Sequence, residues 1–189
     1  MSNHGHGAHG GEDNKKVALL ISVLALLLAV AEILGQSAQT KTLQSNIEAS
    51  NLWAFFQAKT IRKAVAETAA DEMETILDDQ LAPAARKRLE ERIARWRAGA
   101  QRLESEPRLV DGQQKGEGRK ELMARALAAE VVRDKAGKKH HRFELGTGSF
   151  QIAIVMASAA VITGIGAMLW VAGGLGVLGL MFLIGGMIA

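Results

Sequence analysis

The sequence has no cysteine and no tyrosine, and its only prolines are Pro83 and Pro107. Without cysteine there are no disulfides, no thiolate nucleophiles and no zinc or iron–sulfur sites built on cysteine ligands. Three tryptophans and five phenylalanines are the only aromatic residues, so packing depends on leucine, isoleucine, valine and alanine. This composition favours contacts between helices over a β-sheet or a ligand pocket.

Charge is missing from two stretches, one near each end, and is concentrated between them. Residues 36–149 contain 21 lysines and arginines against 17 aspartates and glutamates. The two signs are interleaved, which argues against the one-sided basic surface of a nucleic-acid-binding domain. The pattern predicts an all-α membrane protein in which a long, three-helix, coiled-coil-like stalk stands on three transmembrane helices.

Residues 1–14 form a polar tail rich in glycine and histidine. Its histidines, His4, His6 and His9, are close enough in sequence to chelate a metal ion through neutral imidazoles. Glycines between them leave such a site without a fixed geometry. A disordered tail is the simpler interpretation, because the segment cannot bury enough apolar surface to offset the entropy of ordering.

Residues 15–35 are predicted to form the first transmembrane helix. Val17 to Leu34 carries a single charge, Glu32, and at about 1.5 Å per residue it just crosses a hydrocarbon layer of about 30 Å. A cleaved signal peptide is the alternative, because Lys15 and Lys16 precede the apolar core and residues 29–31 resemble a cleavage site.

Small residues recur at helical spacing in this segment, and we expect the seam they form to pack on another membrane helix. Glu32 continues the seam one turn before Gln36, so its carboxylate is expected to reach the membrane interface. The alternative is a carboxylate within the membrane that takes part in ion or proton transport. The seam comprises Ala18, Ser22, Ala25, Ala29 and Glu32.

The same helix is predicted to continue outside the membrane through residues 36–82, with an apolar stripe in steps of three and four residues that is typical of coiled coils. Trp53 and Phe56 share a helix face about 30 Å beyond Leu34, too far to form an interfacial aromatic belt. We expect them to pack against another helix. The stripe comprises Leu43, Ile47, Ser50, Ala54, Ala58, Ile61 and Val65.

Two further helices complete the predicted stalk, over residues 83–106 and 117–149, with a loop at 107–116. Pro83 suits a first helical turn, and Pro107 disfavours helix at the residue before it. Equal rise along antiparallel helices places residues 128–132 beside Trp53 and Phe56, and Trp96 beside residues 69–73. The predicted helix–helix contact residues are Trp53, Phe56, Ile61, Trp96, Val131 and Val132.

After Glu144 the sequence has no formal charge, and two more transmembrane helices are predicted, at residues 150–170 and 174–189, with a tight turn at Gly173 and Gly174. A re-entrant or tilted hairpin is the alternative for the last segment. The many glycines lack the lysine and the preceding strand of a phosphate-binding loop. A second small-residue seam comprises Ala153, Ala157, Ala160 and Gly164.

Orientation is predicted from basic residues beside the membrane segments. Two lysines, Lys15 and Lys16, favour an N-terminus inside the cell, whereas five basic residues between Arg133 and Arg142 favour an internal stalk. The larger group predicts a cytoplasmic stalk on a multi-pass protein of the inner (cell) membrane. We also expect the basic stretch, which includes His140 and His141, to contact anionic lipid headgroups.

The segment from Ile47 to Lys59, IEASNLWAFFQAK, resembles a family of bacterial membrane proteins catalogued as domain of unknown function 4337. The resemblance extends over nearly the whole chain beyond Asp13, including the apolar run FQIAIVMASAAVITGIGAMLW. It implies an integral membrane protein, and it brings no activity, cofactor or catalytic residue.

No paired carboxylates or activated nucleophile occur at a usable spacing, so we expect no enzymatic activity, no cofactor and no small-molecule substrate. The heptad-like stripes and small-residue seams favour a self-associating helical scaffold, with the lipid bilayer and further copies of the chain as partners. The alternative is a pore-forming or transporter subunit in which Glu32 and Gln36 of several copies line a pore.

Overall fold

The computed structural model describes residues 9–78, 80–107, 109–110, 113–114 and 116–188. Its helices are α1 (His9–Thr75), α2 (Pro83–Glu104), α3 (Arg119–Thr163) and α4 (Ala167–Ile188). In the connection from α2 to α3, strand β1 (Leu109–Val110) pairs antiparallel with β2 (Gln113–Gln114), within the segment predicted to be a loop. Apart from this short ladder the described elements are helical, which confirms the predicted all-helical class.

Helix α1 is continuous for 67 residues, from the first apolar segment into the charged middle of the sequence. It ends at Thr75, short of the predicted residue 82. The backbone N–H groups of Ile76 and Leu77 bond to carbonyls three residues back, at 3.3 and 3.1 Å, which tightens the last turn and ends the helix. Helix α2 then begins with Pro83 in its first turn, as the sequence predicts.

Helix α3 runs for 45 residues through Gly137, Gly146 and Gly148, so the predicted third stalk helix and second membrane helix are one element. One of these glycines occupies a close helix contact. A Cβ at Gly146 would lie 3.2 Å from the carbonyl oxygen of Gly179 in α4, whereas one at Gly137 would make only an ordinary contact, 3.9 Å from the Thr42 methyl group. Close packing of this kind offsets the low helix propensity of glycine.

The turn between α3 and α4 lies at residues 164–166, which corrects its predicted position at Gly173 and Gly174. Gly164 has a φ of +72°, a left-handed conformation that favours glycine. Its N–H bonds to the carbonyl of Ala160 at 2.9 Å and so closes the end of α3. Helix α4 consequently has 22 residues, with the glycine pair inside it, and is longer than predicted.

The chain divides into two compact units: unit 1 comprises the described residues of Met1–Leu43 and Arg133–Ala189, and unit 2 comprises those of Gln44–Val132. In unit 1, α1, α3 and α4 share an apolar core. Large side chains from α1 and α3 meet small residues of α3 and α4. The buried core residues are Leu24, Ala31, Phe143, Phe150, Ala153 and Leu183, with Val17, Ala157 and Ala172 in a neighbouring cluster.

Helices α3 and α4 pack antiparallel in a register fixed by glycines. A Cβ at Gly179 would lie 2.8 Å from the ring of Phe150, and one at Gly186 would lie 2.6 Å from the ring of Phe143. The two contacts are seven residues apart on both helices, and the buried face of α4 follows steps of four and three. That face comprises Ala172, Gly176, Gly179, Leu183 and Gly186.

The core of unit 2 is small and contains mostly alanine. Leu52 of α1 and Leu122 of α3 are its large buried side chains, and Trp53 and Phe56 pack against it. The remaining buried members of this cluster are Ala49, Ala126 and Ala129.

Three helices are long and apolar enough to cross a membrane: α1 from Asn14, α3 and α4, with mean hydropathies of 2.8, 1.7 and 2.2 over their most apolar windows.

Candidate functional site

Trp53 and Phe56 connect α1 to α3 in unit 2. Their rings meet edge to face, with centroids 5.3 Å apart and planes at 85°, a favoured geometry for aromatic pairs. Trp53 Nε1 donates a hydrogen bond of 2.9 Å to the Glu130 carboxylate of α3. Glu130 lies within the interval, residues 128–132, that helical rise places beside the aromatic pair.

A polar cluster holds α1, α2 and α3 together near Phe56. Arg119 donates from Nε to the Thr60 hydroxyl at 2.9 Å and from Nη1 to Glu104 Oε2 at 2.7 Å. Its guanidinium carbon lies 5.0 Å from the centre of the Phe56 ring, a cation–π distance. Lys63 donates to the same Glu104 oxygen at 2.9 Å, so one carboxylate on α2 joins cations from the other two helices.

The contact between Lys63 and Glu104 shifts the pKa values of the two groups in opposite directions. The hydrogen bond from Lys63 lowers the pKa of Glu104, and the nearby charges of Lys63 and Arg119 add to the effect. The same bond raises the pKa of Lys63. Both groups therefore remain charged over a wider pH range than either alone, which suits a lasting contact between helices.

The start of α3 is fixed by a buried carboxylate, Glu121. Its oxygens accept hydrogen bonds from Ser105 Oγ at 2.6 Å and from the backbone N–H of Glu106 at 3.3 Å. Burial raises the pKa of Glu121, but these hydrogen bonds and its own backbone N–H outweigh burial, so the net pKa lies below its usual range. A Cβ at Gly116 would lie 2.5 Å from the Glu106 carbonyl oxygen, so glycine permits this close approach.

The apolar stripe of α1 lies on the exposed face of unit 2 and not in its core. Leu43, Ile47, Ile61 and Val65 are 57%, 60%, 65% and 58% exposed. The smaller residues between them, Ser50, Ala54 and Ala58, are exposed as well. The helix packs instead through its opposite side, where Ser45, Ala49, Leu52, Ala66 and Ala70 are buried.

Other predicted contact residues are also largely exposed. Val131 and Val132 of α3 are exposed at the helix surface, although their neighbour Glu130 makes the contact with Trp53. Trp96 lies on the lip of a groove between α1 and α2 that Ala66 and Gly99 also line. One residue away, Arg97 pairs with Asp71 and Glu74 of α1, and these charges attach α2 there.

Of the two predicted membrane seams, the one in α3 is mostly buried within the chain and the one in α1 is exposed. In α3, Ala153, Ala157 and Ala160 are buried, whereas Gly164 belongs to the turn. In α1, Ala25, Ala29 and Glu32 are exposed, as are Ala18 and Ser22. The α1 helix packs instead through an adjacent face, whose buried residues are Val17, Leu24, Ala31 and Gly35. Leu24 is the large side chain of this face in the core shared with α3 and α4.

Several residues that hold unit 1 together were missed from the sequence. Phe143 and Phe150 of α3 fill spaces over Gly186 and Gly179 of α4. The available signal was the recurrence of small residues in α4 at steps of four and three, from Ala172 to Gly186. A small-residue ridge of this kind predicts close approach by a neighbouring helix, and bulky residues seven apart on α3 provide it.

No group of three or more potential metal ligands occurs among the residues that the structure describes. Of the weak candidates in the tail, His4, His6 and the side chain of His9 lie outside the described part. The neighbouring histidines His140 and His141 make separate contacts. His140 Nδ1 lies 3.1 Å from the Gly35 carbonyl oxygen, and His141 Nδ1 lies 3.9 Å from the Glu144 carboxylate.

Comparison with known proteins gives one match, to the sequence model of the family described as Domain of unknown function (DUF4337), over residues 13–189. Neither a curated protein nor a solved structure matches the chain.

Proposed function

Because the chain belongs to the DUF4337 family, whose description assigns no activity, we propose from its own contacts that it is a membrane-anchored helical scaffold that self-associates through the exposed face of α1. The exposed apolar stripe, Leu43 to Val65, is the observation that carries this proposal.

Membrane anchoring is supported by where unit 1 exposes apolar surface. Large side chains on all three apolar helices point outward, including Leu26 at 66%, Val155 at 65% and Met181 at 66% exposed. Water penalises such a surface, whereas lipid solvates it without cost. Each apolar segment also satisfies its backbone hydrogen bonds within a helix, as a bilayer requires.

The apolar stripe needs a partner other than lipid, because it lies in unit 2, which is rich in charged residues. On an ideal helix it forms one face from Leu43 to Thr68 without a charged residue, bordered by amides such as Gln44, Asn46 and Asn51. Charged residues border coiled-coil seams and exclude mismatched partners. A face with no charge is compatible with a second copy of itself.

The size of the stripe is sufficient for a dimer. Complete burial of a valine, leucine or isoleucine side chain contributes about 1.5–3 kcal/mol. The exposed parts of Leu43, Ile47, Ile61 and Val65 would then contribute about 4–7 kcal/mol per chain. Two chains together approach the cost of association, about 4–15 kcal/mol, and anchoring both copies in one membrane reduces that cost.

Small residues at the centre of the stripe favour a close parallel pair. Ser50, Ala54 and Ala58 recur every four residues, a spacing that lets two helix backbones approach. The exposed seam of α1 in unit 1 continues in the same steps of three and four. Two copies inserted in one membrane have the same orientation, so equivalent residues meet across a two-fold axis.

Cysteine trapping tests this arrangement, because the natural sequence has no cysteine. A cysteine at Ala54 is expected to form a disulfide-linked dimer on mild oxidation in membranes, since a bond needs Cα atoms about 4.4–6.8 Å apart. Ala94→Cys is the matched control, an exposed alanine on α2 and so outside the stripe. Failure of Ser50→Cys, Ala54→Cys and Ala58→Cys alike to cross-link would contradict the proposal.

A charge substitution provides the complementary test in mild detergent. Ala54→Glu would bury two like charges in the proposed interface and is expected to shift the mass from dimer to monomer. Ala94→Glu introduces the same side chain at an exposed alanine of α2 and should leave the dimer intact. Loss of the dimer in both variants would show that the effect is not specific to the stripe.

A pore is the second candidate, and the exposure of Glu32 favours it. Glu32 and Gln36 lie on the same exposed side of α1 as the small seam, so a ring of several copies would direct them towards its axis. This function requires four or more copies and an ion conductance in reconstituted vesicles that Glu32→Gln reduces. A dimeric mass with no conductance would exclude the pore and leave the scaffold as the remaining candidate.

A further inference from the structure

A cavity of about 380 Å³ lies in unit 1, where the apolar parts of α1 and α3 meet the end of α4. We call it the lysine cavity, because Lys41 and Lys139 line it together with apolar groups. One wall is basic and the other is suited to hydrocarbon. The apolar and small members of the lining are Leu34, Ala38, Ala136, Phe143, Gly186 and Met187, with Ser37 beside them.

The two lysines have no counter-ion within the described part of the chain. No ion pair or hydrogen bond joins Lys41 or Lys139 to another described residue, and no carboxylate lines the cavity. A nearby groove of about 560 Å³ differs in this respect: it includes Asp134, which pairs with Arg133 at 2.9 Å. The lysine cavity thus differs from this groove in having basic side chains and no carboxylate in its lining.

The end of helix α4 would ordinarily repel an anion here, because C-terminal carbonyls carry partial negative charge. Arg142 of α3 removes much of that effect. Its Nη1 donates to the carbonyl oxygen of Gly185 at 2.6 Å, and α4 has no basic residue of its own in its last turn. Arg142 thus offsets part of the partial negative charge at the end of α4, beside Gly186 and Met187.

We propose that the lysine cavity binds an anionic phospholipid. The phosphodiester sits between the ammonium groups of Lys41 and Lys139, and the first part of an acyl chain lies along Leu34 and Met187. Basic pockets between membrane helices bind anionic headgroups in this manner. The proposal rests on the membrane placement of unit 1 and is independent of the apolar stripe in unit 2.

Free phosphate shares the headgroup's chemistry, and the apolar wall distinguishes the two ligands. A phosphate ion uses only the lysines, whereas a lipid also covers Met187, which is 62% exposed, and the half-buried Leu34. The structure favours the lipid because the apolar groups adjoin the lysines within one cavity.

Native mass spectrometry of the full chain in mild detergent tests the proposal, with phosphatidylglycerol and phosphatidylcholine as probes. The natural protein is expected to retain phosphatidylglycerol preferentially. Lys41→Gln with Lys139→Gln should weaken that binding by about 30-fold, since each lysine near an anionic surface contributes about fivefold. Lys87→Gln with Lys120→Gln removes the same charge from exposed positions of α2 and α3 outside the basic stretch and should retain binding.

Equal retention of both lipids, or an equal loss in the two double variants, would overturn the proposal. Displacement of phosphatidylglycerol by millimolar inorganic phosphate would overturn it too, because phosphate would then be the ligand. The same spectra report copy number, and carbonate extraction of membranes reports insertion. A failed lipid site is therefore distinguishable from failed self-association and from failed anchoring.

Discussion

At the scale of single residues, Trp53 combines two kinds of contact. Its indole packs edge to face on Phe56, and its N–H donates to Glu130 across 77 positions of sequence. An indole N–H that is partly buried needs an acceptor, and α3 provides a charged one. The residue therefore fixes both the distance and the register between α1 and α3 in unit 2.

Replacing Trp53 separates these contributions. Trp53→Phe keeps an aromatic ring and should lower the free energy of unfolding by about 1 kcal/mol, through loss of one hydrogen bond. Trp53→Ala also loses the packing, and because the indole is only half-buried we expect a loss of about 2 kcal/mol. Helical circular dichroism against denaturant, in detergent, measures both.

Phe55→Ala is the matched control, since Phe55 lies on the same helix and is 63% exposed. It should change the free energy of unfolding by less than about 0.5 kcal/mol. An equal loss for Phe55→Ala and Trp53→Ala would contradict the assignment of the contact to Trp53.

Sequence reasoning locates such a contact better than it identifies the partner. Helical rise alone placed residues 128–132 opposite Trp53, and Glu130 lies in that interval. Nothing in the local pattern distinguished Glu130 from exposed Val131 and Val132, which have the more hydrophobic side chains. A hydrogen-bond acceptor outweighed hydrophobicity here, because a tryptophan edge needs an acceptor.

At the scale of elements, α1 illustrates why periodicity does not decide which face is buried. Two faces of the helix repeat at helical spacing through unit 2. The buried one contains Ser45, Ala49 and Lys63, whereas the exposed one contains Leu43, Ile47 and Ile61. Ranking by hydrophobicity selects the exposed face. Small residues and the Lys63–Glu104 bond stabilise the other face, and only the positions of α2 and α3 reveal it.

The pairing of α3 with α4 depends on glycines whose roles differ within one helix. A Cβ at Gly179 would overlap the Phe150 ring, which is fully buried, whereas a Cβ at Gly174 would meet nothing within 4 Å. The same sequence change therefore has opposite consequences at two positions five residues apart.

Gly179→Ala should destabilise unit 1 by about 1–3 kcal/mol, because the phenylalanine ring or the helix has to move. Gly174→Ala should be neutral or should stabilise by up to about 1 kcal/mol, since alanine favours the helix. Unfolding of the detergent-solubilised variants measures the difference. A stabilising effect of Gly179→Ala would mean that α3 and α4 do not pack this closely.

At the scale of the whole molecule, the proposed membrane placement has three crossings, one each by α1, α3 and α4. In that placement the basic residues of α3 between Arg133 and Arg142 would flank the membrane segment, and the positive-inside rule would assign them to the cytoplasmic side. The turn at residues 164–166 would then lie on the opposite side of the membrane from these basic residues.

Single cysteines report this orientation. Lys87→Cys, on exposed α2, should resist a membrane-impermeant maleimide in right-side-out vesicles and react after the vesicles are opened. Gly166→Cys, exposed in the α3–α4 turn, should react in intact vesicles. Labelling of Lys87→Cys in intact vesicles would show that the protein has the opposite orientation.

The turn that Gly164 closes also bears on how the protein is made. Residues 145–189 carry no charged side chain, so α4, the turn and the apolar part of α3 can enter a bilayer together without moving a charge through hydrocarbon. The ribosome synthesises this hairpin after α1 and the whole of unit 2. In the proposed membrane placement, insertion therefore has an early step that anchors the chain and a later one, which needs the 22 residues of α4 to cover Phe143 and Phe150.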